Sequence, residues 1–340
     1  MTHTYPLGKL PPEHLAQLFE RHGTQNRRVL LGPGVGHDAA VISFCGHAAD
    51  RLLVAKTDPI TFASDQIGWY AVHVNANDVA CTGATPQWFL ATLLLPQEGT
   101  DRALVDEIFD QIATTCEDLD VGLVGGHTEI THGFDRPVIV GFMLGEVPAD
   151  KLVRPDGARP GDELLLTKGI AVEGTALIAR EKTTDLQDIH PAVLQRSRDF
   201  LQQPGISVVR DAAIALGAGD VHAMHDPTEG GLATGLWELA EAAGVGLIVD
   251  RESIPVFEET TALCCALGLD PLGLIASGAL LLAVAADHTA QISRALEDAA
   301  ITVARIGRVV KAEEGRVLRE GGISHPLPTF ERDEIARLFE

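Results

Sequence analysis

Apolar residues recur at two distinct periods along the chain, and the period predicts the element. Across 101–119 they stand at Leu104, Val105, Ile108, Ile112 and Ala113, the spacing of one helical face. The segment 13–19, after Pro11-Pro12, reads as a short helix, and 67–82 as a longer one. Short apolar runs at 39–43, 52–56, 88–95, 121–124 and 138–147 read as strands. A polar stretch rich in Pro and Gly, 151–162, then interrupts the pattern, and we place a domain boundary there. Beyond it, strands are expected at 163–167, 221–225, 246–250, 279–285 and 301–310. Helices are expected at 172–181, 191–201, 207–216, 229–243, 260–267, 289–299 and 331–339. The fold class is therefore α/β in two domains, 1–150 and 151–340, each a sheet backed by helices.

Bulk properties narrow the function. The 340 residues exceed one ordinary core. A formal net charge of −22 disfavours nucleic acid as a partner, and no basic patch offsets it. An acidic protein that binds an anionic ligand needs a counter-ion, and a divalent metal on carboxylates would supply it. No apolar run is long enough for a membrane span, and the first ten residues lack a secretory pattern, so a cytoplasmic protein is expected. The five cysteines form no C-x-x-C pair and read as reduced thiols; Cys264 and Cys265 would point about 100° apart on a helix.

Five motifs carry candidate chemistry. Gly32-Pro33-Gly34-Val35-Gly36-His37-Asp38 is a glycine-rich loop ahead of an aspartate, or a plain turn into a strand. Lys56-Thr57-Asp58-Pro59 ends a strand, where Asp-Pro also starts turns. Asn75-Ala76-Asn77-Asp78 puts three polar residues inside a predicted apolar helix, where such residues need partners. Gly125-Gly126-His127-Thr128-Glu129 follows a strand as a turn that would expose backbone N–H groups to phosphate; His127 would bind a ligand or simply a carbonyl. His225-Asp226-Pro227-Thr228-Glu229-Gly230-Gly231 opens a helix, with Asp226 as N-cap, Pro227 at the first position and Glu229 closing a capping box. A helix start with two glycines is also an anion site. His222-x-x-His225 falls on opposite faces of a strand, which argues against zinc.

Taken together, the order of these motifs resembles the aminoimidazole ribonucleotide (AIR) synthase, or PurM-like, superfamily. The shared pieces are Gly36-His37-Asp38-Ala39-Ala40, Thr57-Asp58-Pro59, Asn77-Asp78-Val79-Ala80, Gly125-Gly126-His127-Thr128 and Asp226-Pro227-Thr228-x-Gly230-Gly231, with Gly161-Asp162 and Leu267-Gly268-Leu269-Asp270. Within the superfamily the chain is most similar to the hydrogenase maturation factors. The resemblance implies an α+β N-terminal domain whose strands complete a barrel across a homodimer, an α/β C-terminal domain, and ATP in the cleft. It implies that Asp38, Asp58, Asp78 and Asp226 hold magnesium. Asn75, Asn77, Lys56, Gly125, Gly126 and Thr128 would shape the phosphate site. His127 is the candidate general base. The implied chemistry is ATP-dependent phosphorylation of a carboxamide or carbonyl oxygen on a small-molecule substrate. Two alternatives stand beside it: a nucleotide-binding assembly protein without chemistry, and a small-molecule kinase similar to thiamine monophosphate kinase.

The chain departs from the maturation factors in three places. Those factors end in a cysteine that carries the carbamoyl group, whereas this chain ends Ala336-Arg337-Leu338-Phe339-Glu340 and its last cysteine is Cys265. They carry Asp and Lys where His127 and Glu129 stand, and Asn-Glu-Gly-Lys where this chain has Ala276-Ser277-Gly278-Ala279. Their thiocarbamate dehydration is therefore not expected here. Gly-Gly-His-Thr resembles selenophosphate synthetase, but that branch needs a cysteine in an N-terminal glycine-rich loop, and none precedes Cys45.

Overall fold

The computed structural model describes residues 28–31, 37, 39–43, 50–61, 63 and 65–338. The expected helix at 13–19, residues 32–36, Asp38 and Cys45 lie outside them. The chain divides into two compact units: of the described residues, 28–31 and 39–152 form the N-terminal one, and 153–338 with His37 the C-terminal one.

Among the described residues of the N-terminal unit, six strands make one sheet: β1 (Val29–Leu31), β2 (Ala40–Ile42), β3 (Arg51–Ile60), β4 (Thr85–Pro96), β5 (Gly122–Thr131) and β6 (Val138–Pro148). Their order is β1-β2-β3-β6-β4-β5. All neighbours are antiparallel except β4 and β5, which run parallel through the connecting helix α2 (Arg102–Asp118). Asp101 caps α2 by accepting from the Leu104 N–H, and Ile108, Ile112 and Cys116 form its buried face.

Helix α1 (Ile67–Cys81) is buried along almost its whole length, which is why it reads as apolar on every side. It packs on β6, where Gly141 leaves room: a Cβ there would collide with Asn75 Nδ2 and, at 3.0 Å, with the Ala71 carbonyl.

Strand β3 continues through Asp58 and Pro59, so the expected Asp-Pro turn does not form. The reason is the neighbour: β6 pairs with β3 from Arg51 to Ile60, and this continuous ladder holds Asp58 and Pro59 extended.

The C-terminal unit holds a seven-stranded sheet among its described residues: β7 (Glu163–Thr167), β8 (Val221–His225), β9 (Gly246–Asp250), β10 (Leu281–Val284), β11 (Val303–Val310), β12 (Arg316–Glu320) and β13 (Ile323–Pro326). The order is β13-β12-β9-β11-β7-β10-β8, and of these pairs only β12 with β9 is parallel. Its helices are α3 (Val172–Glu181), α4 (Pro191–Asp199), α5 (Val209–Ala218), α6 (Gly231–Ala243), α7 (Glu258–Leu267) and α8 (Thr289–Asp298). One core cluster joins Leu164 and Leu166 of β7, Leu232, Leu236 and Leu239 of α6, Leu247 and Val249 of β9, and Leu281 of β10. On α7, Cys264 is buried and its thiol is pushed up to about 12 by burial, while Cys265 is exposed.

Candidate functional site

The N-terminal unit brings three of the predicted residues together. Lys56 and Asp58 lie two apart on β3 and so share a face. Asp78 approaches from α1. The Lys56 ammonium sits 3.3 Å from Asp58 Oδ2 and 3.1 Å from Asp78 Oδ2. Asp78 is the more enclosed carboxylate, with 5% of its side chain exposed against 36% for Asp58. Burying a carboxylate is costly unless it is paired, and Lys56 supplies the pairing. Among the described residues one ammonium faces two carboxylates, an arrangement that suits a further cation.

Asn75 fixes this arrangement. Its Nδ2 donates to the Ala71 carbonyl one turn back at 2.9 Å and to the Asp58 backbone carbonyl at 3.3 Å. The amide thus ties α1 to β3 at the residue that carries the second carboxylate. Asn75 Oδ1 is buried with no hydrogen-bond partner among the described residues. Asn77 is fully buried on the same helix. The polar interruption of this apolar helix is therefore a strut between α1 and β3.

The Gly125-Gly126 pair is not a turn. Strand β5 runs on from Gly122 to Thr131, and both glycines sit in it with φ of 154° and 151°. Only glycine adopts these angles readily, and a Cβ on Gly126 would run into the Ala91 backbone of β4. Gly126 therefore serves close strand approach, while a Cβ on Gly125 would meet nothing within 4 Å. Thr128 follows on the same strand, which is exposed along nearly its whole length. His127 and Glu129 are exposed too, with Nε2 and Oε2 3.5 Å apart.

In the C-terminal unit, Asp226 is buried at the end of β8. It is not the N-cap of α6. That helix begins at Gly231, and its N-cap is Gly230, in the left-handed region at φ 79°, with no side-chain cap. The expected capping box fails because Gly230 and Gly231 both take positive φ, which delays the first helical turn past Glu229. The histidines of the His-x-x-His pattern have separate carboxylate partners: His222 Nδ1 lies 2.8 Å from Asp162, and His225 Nε2 lies 3.0 Å from Glu238.

Near Asp226 the structure reveals carboxyl groups that the motifs did not single out. Glu173, in the first turn of α3, is wholly buried, and its carboxyl is pushed up to about 7. Burial is the main cause; the charges of Asp333, Glu229 and Asp226 add to it, and the Ser277 hydroxyl opposes it. Glu173 Oε2 and Ser277 Oγ lie side by side without a well-formed hydrogen bond to any described residue. Asp333 is likewise pushed up to about 6 by burial. An acidic residue isolated in the apolar run before Gly174 was the available signal for Glu173.

Among the described residues, no group of three or more His, Cys, Asp and Glu side chains could by itself hold a metal ion. Asp58 and Asp78 nevertheless suit magnesium, which is commonly bound by one or two carboxylates plus substrate phosphates and water.

Comparison with known proteins adds to this geometry. Residues 36–147 match the AIR synthase related protein N-terminal domain, and residues 159–320 match the C-terminal domain of the same family. The carbamoyl dehydratase HypE of Cupriavidus necator is 31% identical over 294 residues, covering 83% of this chain and 78% of that protein. The chain belongs to the AIR synthase-related family. Its relatives include hydrogenase maturation proteins, as the motif order implied. Among solved structures, that of the hydrogenase maturation protein HypE in complex with ATP superimposes with a TM-score of 0.71 at 27% identity, covering 82% of this chain and 85% of that one. Thiamine monophosphate kinase from Aquifex aeolicus shares the fold, with a TM-score of 0.69 at 19% identity over 92% of this chain and 98% of that one. The mixed α/β, two-domain architecture expected of a PurM-like chain is the one found. Among the described residues no helix is long and apolar enough to cross a membrane.

Proposed function

We propose that this AIR synthase-related chain is an ATP- and magnesium-dependent enzyme that phosphorylates a carboxamide or carbonyl oxygen of a small molecule. The observation that carries the reading is the Lys56–Asp58–Asp78 cluster, a buried carboxylate and a half-exposed one sharing a single ammonium. The relative solved with ATP supports nucleotide as the ligand. Asp58 and Asp78 in the N-terminal unit, Asp38, and Asp226 in the C-terminal unit are the carboxylates assigned to magnesium and phosphate.

Magnesium-bound ATP, when present, supplies the transferable phosphoryl group. The chain's own residues do the rest. Asp58 and Asp78 present hard oxygen donors from a strand and a helix locked together by Asn75. Lys56 balances carboxylate charge in the absence of ligand and phosphate charge in its presence. Such transfer depends on alignment and charge neutralisation more than on a protein nucleophile. His127 is the imidazole available for proton transfer, and its exposure on an edge strand argues for a minor share.

The same reading includes a homodimer. Among the described residues, strand β5 is a sheet edge of ten residues with Leu123, Val124 and Ile130 exposed. A long apolar edge invites a further strand, and a second copy of this chain would cover it.

Calorimetry with ATP and magnesium tests the ligand, and single-turnover phosphate release with candidate carboxamides tests the chemistry. No binding at millimolar nucleotide would sink the proposal. Tight binding without phosphate release under any condition would turn it toward a nucleotide-binding assembly protein.

A further inference from the structure

At the left-handed start of α6 the Gly230 N–H needs an acceptor from outside the helix. Asp333, 103 residues beyond Gly230, fills that role, and its Oδ2 accepts from the Gly230 N–H at 2.6 Å. Its Oδ1 accepts from Ile275 at 3.2 Å and from Ile335 at 2.8 Å. One buried carboxylate therefore holds the loop after Asp226, the segment that leads to Ser277, and its own chain. Those two segments also bond to each other, Ala276 N–H to the Thr228 carbonyl at 3.2 Å, and the first turn of α3 donates to the second through Glu173 N–H to Ser277 O at 3.2 Å. Neighbouring bonds hold the 330–338 segment in place: Glu334 accepts from the Asp270 N–H at 2.9 Å, and Arg337 donates to the Gly268 carbonyl at 3.1 Å.

We propose that Asp333 is a positioning residue of the nucleotide site, fixing the loop that carries Asp226. The proposal rests on the assignment of Asp226 to that site. Buried N–H groups must be paired, and this one carboxylate pairs both Gly230 and Ile275. Asparagine of the same shape keeps one acceptor oxygen and turns an NH2 toward the remaining N–H, so D333N breaks the clamp without emptying the site.

The test is isothermal calorimetry of the full chain with AMPPNP, with and without magnesium, on wild type, D333N and D78A. The expected result is a rise in Kd for Mg·AMPPNP of at least tenfold in D333N, with metal-free nucleotide affinity changed less than twofold. A merely structural residue would weaken both equally or neither. A folded D333N with both affinities within twofold of wild type overturns the inference. Should D333N not fold, amide exchange on wild type decides: Mg·AMPPNP must slow exchange at Gly230 and Ile275 by tenfold or more relative to Leu164 in β7, because the coupling is reciprocal. Unchanged exchange overturns it. Wild type without nucleotide affinity would sink the site itself, and loss of binding in D78A alone would leave the site standing and Asp333 outside it.

Discussion

The two units position an aspartate in opposite ways. Around Asp78 the work is done by side chains close in the fold: Lys56 neutralises it, and Asn75 ties its helix to the strand of Asp58. Around Asp226 it is done by backbone: two left-handed glycines shape the loop, and a distant carboxylate holds it. The first device depends on charge balance. The second depends on filled N–H groups. A substitution should therefore act through side-chain charge and packing in one unit and through backbone pairing and carboxyl burial in the other.

The largest effect is expected at Asp78. Asp78→Ala should weaken Mg·nucleotide binding at least about a hundredfold, roughly 2.7 kcal/mol, by calorimetry. Its fold should survive, because Lys56 keeps Asp58 at 3.3 Å. Undiminished binding would break the comparison at its stronger end.

Gly141→Ala tests the strut. Its Cβ would press on Asn75, on Ala71 and, at 2.9 Å, on Phe89. Overpacking of this kind costs about 1–3 kcal/mol, readable by urea denaturation. An unchanged midpoint would mean that α1 shifts freely on the sheet.

The acidic cluster near Asp226 should respond to pH. In the unfolded chain Glu173 titrates near its ordinary value of 4.5, and in the folded chain at about 7. The folded state thus holds the proton more tightly, and stability falls as pH rises between those values. Glu173→Gln should flatten that fall and stabilise the protein at pH 8 by about 1–3 kcal/mol. An identical pH profile for the variant would show that Glu173 is solvated after all.

The smallest effect is expected at His127. An essential general base contributes about a hundredfold or more. Its exposure points to a loss of under about tenfold in His127→Ala, by single-turnover phosphate release. A hundredfold loss would instead make β5 part of the chemistry.

Much of the fold was legible because period and burial agree. The apolar spacing of α2, the strands β7 and β9, and the aspartate–glycine order all emerged from local pattern. The hairpin of β12 and β13 did not, since Arg316, Arg319, Glu320 and His325 hide its alternation. Gly321-Gly322 between its strands, at φ 56° and 81°, was the overlooked signal. At 125–126 the structure has a continuous strand where a turn was expected. Glycine relieves a close approach as readily as it makes a turn, and only the Ala91 backbone distinguishes the two. At Asp226 the local rules favoured a cap, and a carboxylate more than a hundred positions away made that cap unnecessary.

Asp333 also bears on how the chain can be handled. A residue so late in the sequence looks expendable, and trimming it is a common route to better crystals or expression. Here a truncation upstream of position 333 removes the acceptor from Gly230 and Ile275 together. The damage would surface in the middle of the domain, far from the cut. A fusion tag joined beyond Leu338 leaves those bonds untouched.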